Sequence, residues 1–493
     1  MRLKELLDGV VLTQAHADQE VEITSISYDT REIEKGALFV ALPGYKYDGH
    51  NFICQALEKG AAAVLCQAPP DRPGPWLVTP DSRAALAAVS ANWFGHPGDS
   101  MTLLAVTGTN GKTTTSTLLK AVIEEVLGTR VGLVGTNRNM VGDRELPAHR
   151  TTPESYELQA LLRQMSDEGC THVVMEASSH ALVQRRTGTL RFTEGIFTNL
   201  TRDHLDYHGT MEEYRRAKSL LFEQSDLAIL NLDDEAGRWY RDHVACPAFT
   251  YSERHTEADL TAENVKLFPD RVQFEAVARG VIGRVVLPIP GGFTIYNALA
   301  VIAAALNLGL DLPAVAAALS HAHGVKGRVE VVPSPAPYTI IIDYAHTPDA
   351  LENILSTVRS LTQKRLLCVV GCGGDRDRSK RPLMGEIAGE LADLTFLTSD
   401  NPRTEDPMDI LRDMLPGMER SKGAYRLIPD RRDAIRAALA EARAGDLVLL
   451  AGKGHETYQE IMGETRHLDE REEVAAFFQN NGNCDTIAPK QLL

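Results

Sequence analysis

Long apolar runs are missing from this chain. No stretch reaches the length of about 18 apolar residues that a membrane-spanning helix needs. The N-terminus, Met1-Arg-Leu-Lys-Glu-Leu-Leu-Asp8, lacks the apolar core of a secretory signal. Cysteine is scarce, with seven in 493 residues, and Cys368 and Cys372 are spaced as neither a zinc knuckle nor a redox pair. Buried free thiols in a reducing cytoplasm are the expected arrangement. Positive charge is short too. The 51 Lys and Arg against 67 Asp and Glu leave a net charge of −16. That balance excludes a broad nucleic-acid or anionic-membrane surface, so any anionic ligand must be gripped by local devices. No internal repeat is present. What is there, 43% hydrophobic and 24% charged residues, suits a soluble protein with packed cores. The length suits roughly three domains of ~150 residues each.

One segment outweighs the rest: Thr107-Gly-Thr-Asn-Gly-Lys-Thr-Thr-Thr115. An apolar run, Leu103 to Val106, precedes it, and a helix-like stretch, Ser116 to Ile123, follows. A strand, a glycine-rich turn and Lys-Thr at a helix start together cradle the phosphates of ATP. Backbone N–H groups of the loop and of the helix N-terminus face the anion. Gly108, Thr109, Asn110, Gly111, Lys112, Thr113 and Thr114 are the candidate contacts. Lys112 is placed for the outer phosphates and the Thr113 hydroxyl for Mg²⁺. The common form of the motif has Gly where this chain has Val106, so a plain structural turn stays the alternative.

Other apolar runs also end in polar groups. His172 to Met175 leads to Glu176, a carboxylate suited as a second Mg²⁺ anchor or as a helix N-cap acid. His204 and His208 have a zinc-type helical spacing, but Gly209 follows at once and a loop is expected. Thr210-Met-Glu-Glu213 reads as a capping box opening a helix through Phe222. On that helix Met211, Tyr214, Lys218 and Leu221 share one face, so Lys218 points where apolar residues point. Burial lowers a Lys pKa and populates the neutral amine. A neutral amine can add CO₂ and become a carbamate, an anion able to bind a second Mg²⁺. A Lys that snorkels to solvent or pairs with Glu is the simpler alternative.

Alternating β-like runs and helical patterns predict an α/β fold with mostly parallel sheets. A small α/β unit is expected over 1–82, with runs such as Ala37 to Leu42 and Ala61 to Leu65. A second is expected over 83–325, with Arg130 to Val134, Gly195 to Thr198 and Leu227 to Leu230. A third, over 326–493, contains Thr339 to Asp343, Leu366 to Val370, Leu394 to Leu397 and Leu447 to Leu450. Ligands of such sheets sit at the carboxyl ends of strands, where the motifs fall. Gln479 to Leu493 reads as a loose tail.

Gly108-Thr-Asn-Gly-Lys-Thr-Thr114, Glu176-Ala-Ser-Ser-His180, Thr198-Asn-Leu-Thr-Arg-Asp-His204, Tyr214-Arg-Arg-Ala-Lys218 and Gly327-Arg-Val-Glu330 carry a family likeness. In residue type and order they resemble the Mur ligases of bacterial peptidoglycan synthesis, over nearly the whole chain. The resemblance implies three domains: a UDP-binding α/β domain, a central P-loop ATPase-type domain and a Rossmann-like domain for the incoming amino acid. It implies ATP-driven amide formation. A substrate carboxylate takes the γ-phosphoryl group to give an acyl phosphate and ADP, and an amine then displaces phosphate. It implies a carbamate on Lys218, against the simpler alternative above. Thr113 and Glu176 would hold one Mg²⁺, and His204 and Lys218 the other. Lys112, Glu176, His204 and Lys218 form the implied catalytic set. Asn297 is implied at adenine, and Arg328 and Asp343 at the nucleotide. Closure of the third domain would complete the site.

Ser399-Asp-Asn-Pro-Arg403 resembles the signature of those members that add meso-diaminopimelate. An Arg fork pairs bidentately with a carboxylate, the group that lysine lacks at that end. Asp400, Asn401, Pro402 and Arg403, with Arg376, Gly452 and Glu456, are the implied amino-acid contacts. Thr151, Thr152, Ser178, Gln184 and Arg186 are implied at UDP-MurNAc-L-Ala-D-Glu. Tyr28, Thr30, Tyr45, Lys46 and Tyr47 are implied at its uridine side, where Thr30 and 45–47 depart from the usual residues. The expected protein is a monomer with no nucleic-acid partner and no membrane insertion. Folylpolyglutamate synthetases share the loop and the lysine but not the Asp-Asn-Pro-Arg stretch. A ligase that reattaches recovered tripeptide would lack the same stretch. A nucleotide-gated interaction module would have lost Lys112, Glu176 or Lys218.

Overall fold

The structure, a computed structural model, describes residues 1–44, 47–70, 73–268, 271–322 and 324–482. Its packing divides into two compact units. The first holds Met1–Leu200, His204–Leu260 and Ala300–Asp311; the second holds Thr201–Asp203, Thr261–Leu299 and Leu312 onward.

The first unit contains two sheets. The smaller orders its strands Gln14–Ala15, Trp76–Val78, Ala63–Cys66, Ala37–Val40 and Ser25–Ser27, parallel except for the first pair. Leu38, Val40, Leu65 and Leu77 of this sheet pack with Ala85, Leu86 and Val89 of the helix Ser82–Phe94. Asp81 caps that helix by accepting from the Arg83 and Ala84 N–H groups, both at 3.0 Å.

The larger sheet has six parallel strands in the order Ala248–Ser252, Ser225–Asn231, Phe192–Phe197, Thr102–Thr107, His172–Glu176 and Val131–Val134. An antiparallel ribbon, Asn139–Val141 and Arg144–Leu146, extends its edge. The central strands are buried throughout, which is why they read as continuous apolar runs rather than alternating ones. Leu103, Ala105, Val173 and Met175 share a core with Leu158, Leu162 and Met165 of the helix Ser155–Asp167.

In the second unit a hairpin, Val272–Ala278 and Val281–Leu287, is antiparallel. A six-stranded sheet follows in the order Glu330–Val331, Thr339–Asp343, Leu447–Ala451, Leu366–Val370, Leu394–Leu397 and Tyr425–Leu427, parallel after its first pair. Side chains alternate between its faces. Ile341 joins Leu355, Met384 and Leu411 on one, while Ile340 and Ile342 join Ile435, Leu439 and Val474 on the other. Helices therefore cover both faces, as the mostly parallel α/β reading requires.

Several local expectations change. The phosphate-loop helix starts at Lys112, where Lys-Thr was expected to open it, and runs on past Ile123 to Leu127. Leu205–His208 is a single helical turn, not a loop. Gln479 to Gly482 are the end of a helix, Glu470–Gly482, not a loose tail; 483–493 lie outside the described residues. Its Phe477 and Phe478 pack beside Tyr338 and Val474. Not every thiol is buried: Cys54 is exposed. Cys368 and Cys372 are enclosed, and burial pushes both thiols up to about 12. Among the described residues no helix is long and apolar enough to cross a membrane.

Candidate functional site

The strand Thr102–Thr107 ends at Gly108, whose φ of 150° belongs to the region that favours glycine. A side chain there would also collide with the Thr198 hydroxyl and meet the Asn199 backbone at 3.1 Å. Thr198 and Asn199 brace the loop. The Thr198 hydroxyl donates to the Asn110 carbonyl at 2.6 Å, Asn199 Oδ1 accepts from the Asn110 N–H at 2.9 Å, and the Asn199 carbonyl accepts from the Thr109 N–H at 2.8 Å. Gly111, at φ 86°, is the N-cap of the helix Lys112–Leu127 and offers no side-chain cap. The first N–H groups of that long helix are thus left to an anion. Lys112 Nζ donates to the Gly108 and Thr109 carbonyls, both at 2.9 Å, so its charge already sits over the loop.

In the first turn of the helix, the Thr113 hydroxyl donates to Glu176 Oε2 at 3.1 Å. Glu176 is fully buried at the end of its strand. It also accepts from the Thr136 N–H and hydroxyl, both at 2.8 Å, and Thr136 Oγ1 lies 3.0 Å from Thr151 Oγ1. Among the described residues no Lys, Arg or His pairs with this carboxylate. A buried anion ringed by hydroxyls is a hard oxygen donor set, which fits Mg²⁺. Thr136 was missed in the sequence, although it stands two residues past the strand Val131–Val134.

The Thr210 hydroxyl accepts from the Glu213 N–H at 3.1 Å and caps the helix Met211–Glu223 as expected. Lys218 on that helix is 1% exposed, so it does not snorkel. Its Nζ donates to the Gly108 carbonyl at 2.8 Å and lies 4.5 Å from the Tyr214 ring centre. As an ammonium it cannot ligate a cation. The Tyr214 ring stacks on His208 at 4.9 Å and lies 6.2 Å from His204, which is itself 4.9 Å from His180. His208 Nε2 is 2.9 Å from the Ser179 hydroxyl. Among the described residues no three His, Cys, Asp or Glu side chains are placed to hold a metal, so the zinc-type spacing has no third partner.

The proposed substrate residues of the same unit form a second network. The Thr152 hydroxyl donates to the Glu176 carbonyl at 2.8 Å and accepts from the Ser178 N–H at 3.1 Å. Arg186 donates to the Thr152 carbonyl at 2.9 Å and to Gln184 Oε1 at 2.7 Å. Glu154, nearly buried, balances Arg186 at 3.3 Å, Arg150 at 3.2 Å and Arg83 at 3.7 Å, which leaves the cluster cationic. The Tyr28 hydroxyl donates to Glu157 at 2.7 Å; burial, then that bond, raises its pKa. Thr30 donates to Gln55 at 3.0 Å, and Tyr47 is exposed. Tyr45 and Lys46 lie outside the described residues.

In the second unit, strand ends and loops gather the remaining candidates. Asn297 is buried on the helix Phe293–Asn307. Asp343 accepts from the Val329 and Ala345 N–H groups, both at 2.9 Å, and burial raises its pKa. The Arg328 guanidinium lies 5.0 Å from the Tyr344 ring centre. Arg403 has φ 54°, in the left-handed region. Its Nη1 donates to the Gly374 carbonyl at 2.8 Å and its Nε is 3.1 Å from Glu460 Oε2. Each two-nitrogen edge of the guanidinium is therefore half engaged, so no bidentate fork stands open; Nη2 has no hydrogen bond among the described residues. Asn401 Nδ2 donates to Glu456 Oε2 at 3.0 Å, and Asn401 Oδ1 accepts from Lys453 Nζ at 2.8 Å and the Glu460 N–H at 3.0 Å. Asp400 is buried beside Gly452, whose φ is 115°. Pro402 sits between this pair and Arg403, and Arg376 is exposed on the neighbouring turn. Glu405 accepts both terminal nitrogens of the enclosed Arg381, at 2.9 and 2.7 Å, and that pairing holds its carboxyl down to about 2. Lys453, Glu460, Tyr344 and the Arg381–Glu405 pair had not been singled out in the sequence.

Residues 22–90 match the description "Mur ligase family, catalytic domain", 106–305 the Mur ligase middle domain, and 327–454 "Mur ligase, glutamate ligase domain". The chain is 44% identical over 480 residues to a UDP-N-acetylmuramoyl-L-alanyl-D-glutamate--2,6-diaminopimelate ligase of Geobacillus thermodenitrificans, covering 96% of this chain and 98% of that one. It is 43% identical over 491 residues to the ligase so named in Geobacillus kaustophilus, covering 98% and 100%. A solved structure of a ligase with that name superposes with a TM-score of 0.71 at 34% identity, covering 98% of this chain and 99% of that one.

Proposed function

The chain belongs to the Mur ligase family, and we propose that it uses ATP to join meso-diaminopimelate to UDP-MurNAc-L-Ala-D-Glu. The observation that carries the amino acid is one polar network. Arg403, Glu460, Asn401, Lys453 and Glu456 link a guanidinium to a carboxylate across the loops that follow the strands Leu394–Leu397 and Leu447–Ala451 and the hairpin that carries Glu460. Diaminopimelate carries, at its distal end, a carboxylate and an ammonium that such a pair complements. The expected division of the chain assigns 1–82 to the uridine end, 83–325 to ATP and 326–493 to the amino acid. The enzyme acts as a monomer in the cytoplasm.

In the first step a D-glutamyl carboxylate oxygen attacks the γ-phosphorus of ATP, and ADP leaves with the bridging oxygen. Lys112 and the N–H groups at the start of its helix neutralise the phosphates as charge shifts. Thr152, Ser178, Gln184 and Arg186 hold the peptide end, and the surplus positive charge around Glu154 suits its anions. Tyr28, Thr30 and Tyr47 serve the uridine end. Asn297, Arg328 and Asp343 serve the nucleotide. In the second step the diaminopimelate amine attacks the acyl carbon, a C–N bond forms, phosphate leaves and the amine proton is released. Thr113 and Glu176 would hold one Mg²⁺, and His204 with carbamylated Lys218 a second, where the metal supplies charge that offsets repulsion between carboxylate and triphosphate.

ADP release tests the reading, with UDP-MurNAc-L-Ala-D-Glu present and diaminopimelate, lysine or no amine added. Release should require diaminopimelate. Equal release with lysine would reject the amino-acid assignment, and no release with any amine would reject the ligase.

A further inference from the structure

Lys453 is fully enclosed, yet it carries a charge-bearing group into the centre of the amino-acid network. It lies between Gly452 and Gly454, just past the strand Leu447–Ala451. Its Nζ donates to Glu456 Oε2 at 2.6 Å and to Asn401 Oδ1 at 2.8 Å, lies 3.8 Å from Asp400 Oδ1, and is 5.1 Å from the Tyr458 ring centre. A buried ammonium is held there only because each face has a partner.

Those contacts orient the residues on either side. Asn401 Oδ1 takes Lys453 and the Glu460 N–H, which turns its amide so that Nδ2 donates to Glu456 Oε2 at 3.0 Å. Glu456 Oε2 thus accepts two donors. Oε1 has only a long contact, 3.4 Å, from the Tyr344 hydroxyl. One oxygen is pinned and the other is left to take an ammonium. Lys453 and Arg403 are the cations in direct contact with the carboxylates Asp400, Glu456 and Glu460. Diaminopimelate carries two ammonium and two carboxylate groups that cancel, whereas lysine is a net cation. Removing Lys453 makes the surround one charge more negative, which shifts the balance toward lysine.

We propose that Lys453 is a positioning and specificity residue of the amino-acid pocket: it aims Glu456 and Asn401, and its charge sets the preference for a zwitterion with no net charge over a cation. This rests on the diaminopimelate reading above, and the parent enzyme's diaminopimelate-dependent ADP release is the control on that reading. If the parent fails that control, the function is wrong; the outcomes below bear on Lys453 alone.

The test is steady-state kinetics of Lys453→Met, which keeps an apolar stem of similar length and removes the charge. KM for diaminopimelate should rise about tenfold or more, because Glu456 Oε2 and Asn401 Oδ1 each lose the charged one of their two donors. KM for ATP and for UDP-MurNAc-L-Ala-D-Glu should stay within about twofold, since the variant leaves their contacts intact. In competition, the preference for diaminopimelate over lysine should narrow. A parent-like preference overturns the proposal, and so does a parallel rise in all three KM values, which would mark a purely structural lysine. Lys453→Arg covers the case in which Lys453→Met does not fold. It retains the charge in the wrong shape, so it should keep the preference while KM for diaminopimelate rises several-fold. Parent-like KM, or a lost preference, in Lys453→Arg would also overturn the proposal.

Discussion

Replacing Arg403 by Ala should weaken diaminopimelate binding selectively, and the structure sets the size. Nη1 is committed to the Gly374 carbonyl and Nε to Glu460, at 2.8 and 3.1 Å. Nη2 is then the nitrogen open to a ligand carboxylate, so about one charge-assisted hydrogen bond is at stake. Such a bond is worth roughly 1.5–3 kcal/mol, or about 10- to 150-fold in affinity. The backbone should tolerate the change. Arg403 already sits at φ 54°, and Ala has the same Cβ, so no strain is added. Glu460 loses its ion pair, but its side chain is 39% exposed, and a pair that open contributes about 1 kcal/mol or less. Melting should therefore shift little. The assay is ADP release at varied diaminopimelate, ATP and UDP-MurNAc-L-Ala-D-Glu, followed by competition between diaminopimelate and lysine. KM for diaminopimelate should rise within that range while the other two hold steady. A variant that still prefers diaminopimelate as strongly as the parent would refute the assignment of Arg403 as the selector.

Lys112→Ala should abolish ADP release while calorimetry still detects binding of UDP-MurNAc-L-Ala-D-Glu; joint loss of both ligands would point to misfolding instead. Lys218→Ala should lose most activity and regain part of it with a small carboxylate at high concentration. The parent equilibrated with ¹³CO₂ should show a carbamate carbon signal that Lys218→Ala lacks, and full activity of the variant without rescue would exclude the carbamate role. Glu194 is 1% exposed on the strand Phe192–Phe197, its Oε2 has no hydrogen-bond partner, and burial pushes its carboxyl from 4.5 up to about 8. The folded state therefore keeps a proton that the unfolded chain gives up, so stability should fall as pH rises from about 4.5 to about 8 and then level off. Denaturation of Glu194→Gln across that range should show a flatter slope, and an unchanged slope would reject the buried acid as its source.

The parts of the site that were legible in sequence are those written contiguously. Gly108, Gly111, Lys112 and Thr113 stand within one turn and one helix start, and their geometry follows from residue type. The cap at Thr210 and the apolar face carrying Lys218 are equally local. Helix ends were less legible. The polar Gln479-Asn-Asn-Gly482 reads as tail, but the apolar pair Phe477 and Phe478 anchors the helix through it. Lys218 shows the limit of pattern reading. Helical spacing put it on the buried face, but only the fold shows its nitrogen on the Gly108 carbonyl, a contact across 110 positions.

Long-range polar pairs explain most of what the sequence withheld. Thr136 meets Glu176 across 40 positions, and Lys453 meets Asn401 across 52. Neither pair has a spacing to detect: Thr136 follows and Glu176 ends neighbouring parallel strands, while Lys453 and Asn401 follow strands separated by Leu366–Val370 in the same parallel sheet. Thr136 and Lys453 nevertheless each stand two residues past a strand end, so the rule that ligands gather at carboxyl ends extends to the residues that orient the contacts. Arg403 marks the other limit. Its side chain was readable as a carboxylate partner, but Glu460, which occupies part of it, comes from the hairpin Tyr458–Ile461 and Glu464–His467. That hairpin sets how much of the guanidinium is left for a ligand. Selectivity in this pocket is thus a property of the charges around Arg403 and Lys453 taken together, and substituting either one alone should narrow the preference without erasing it.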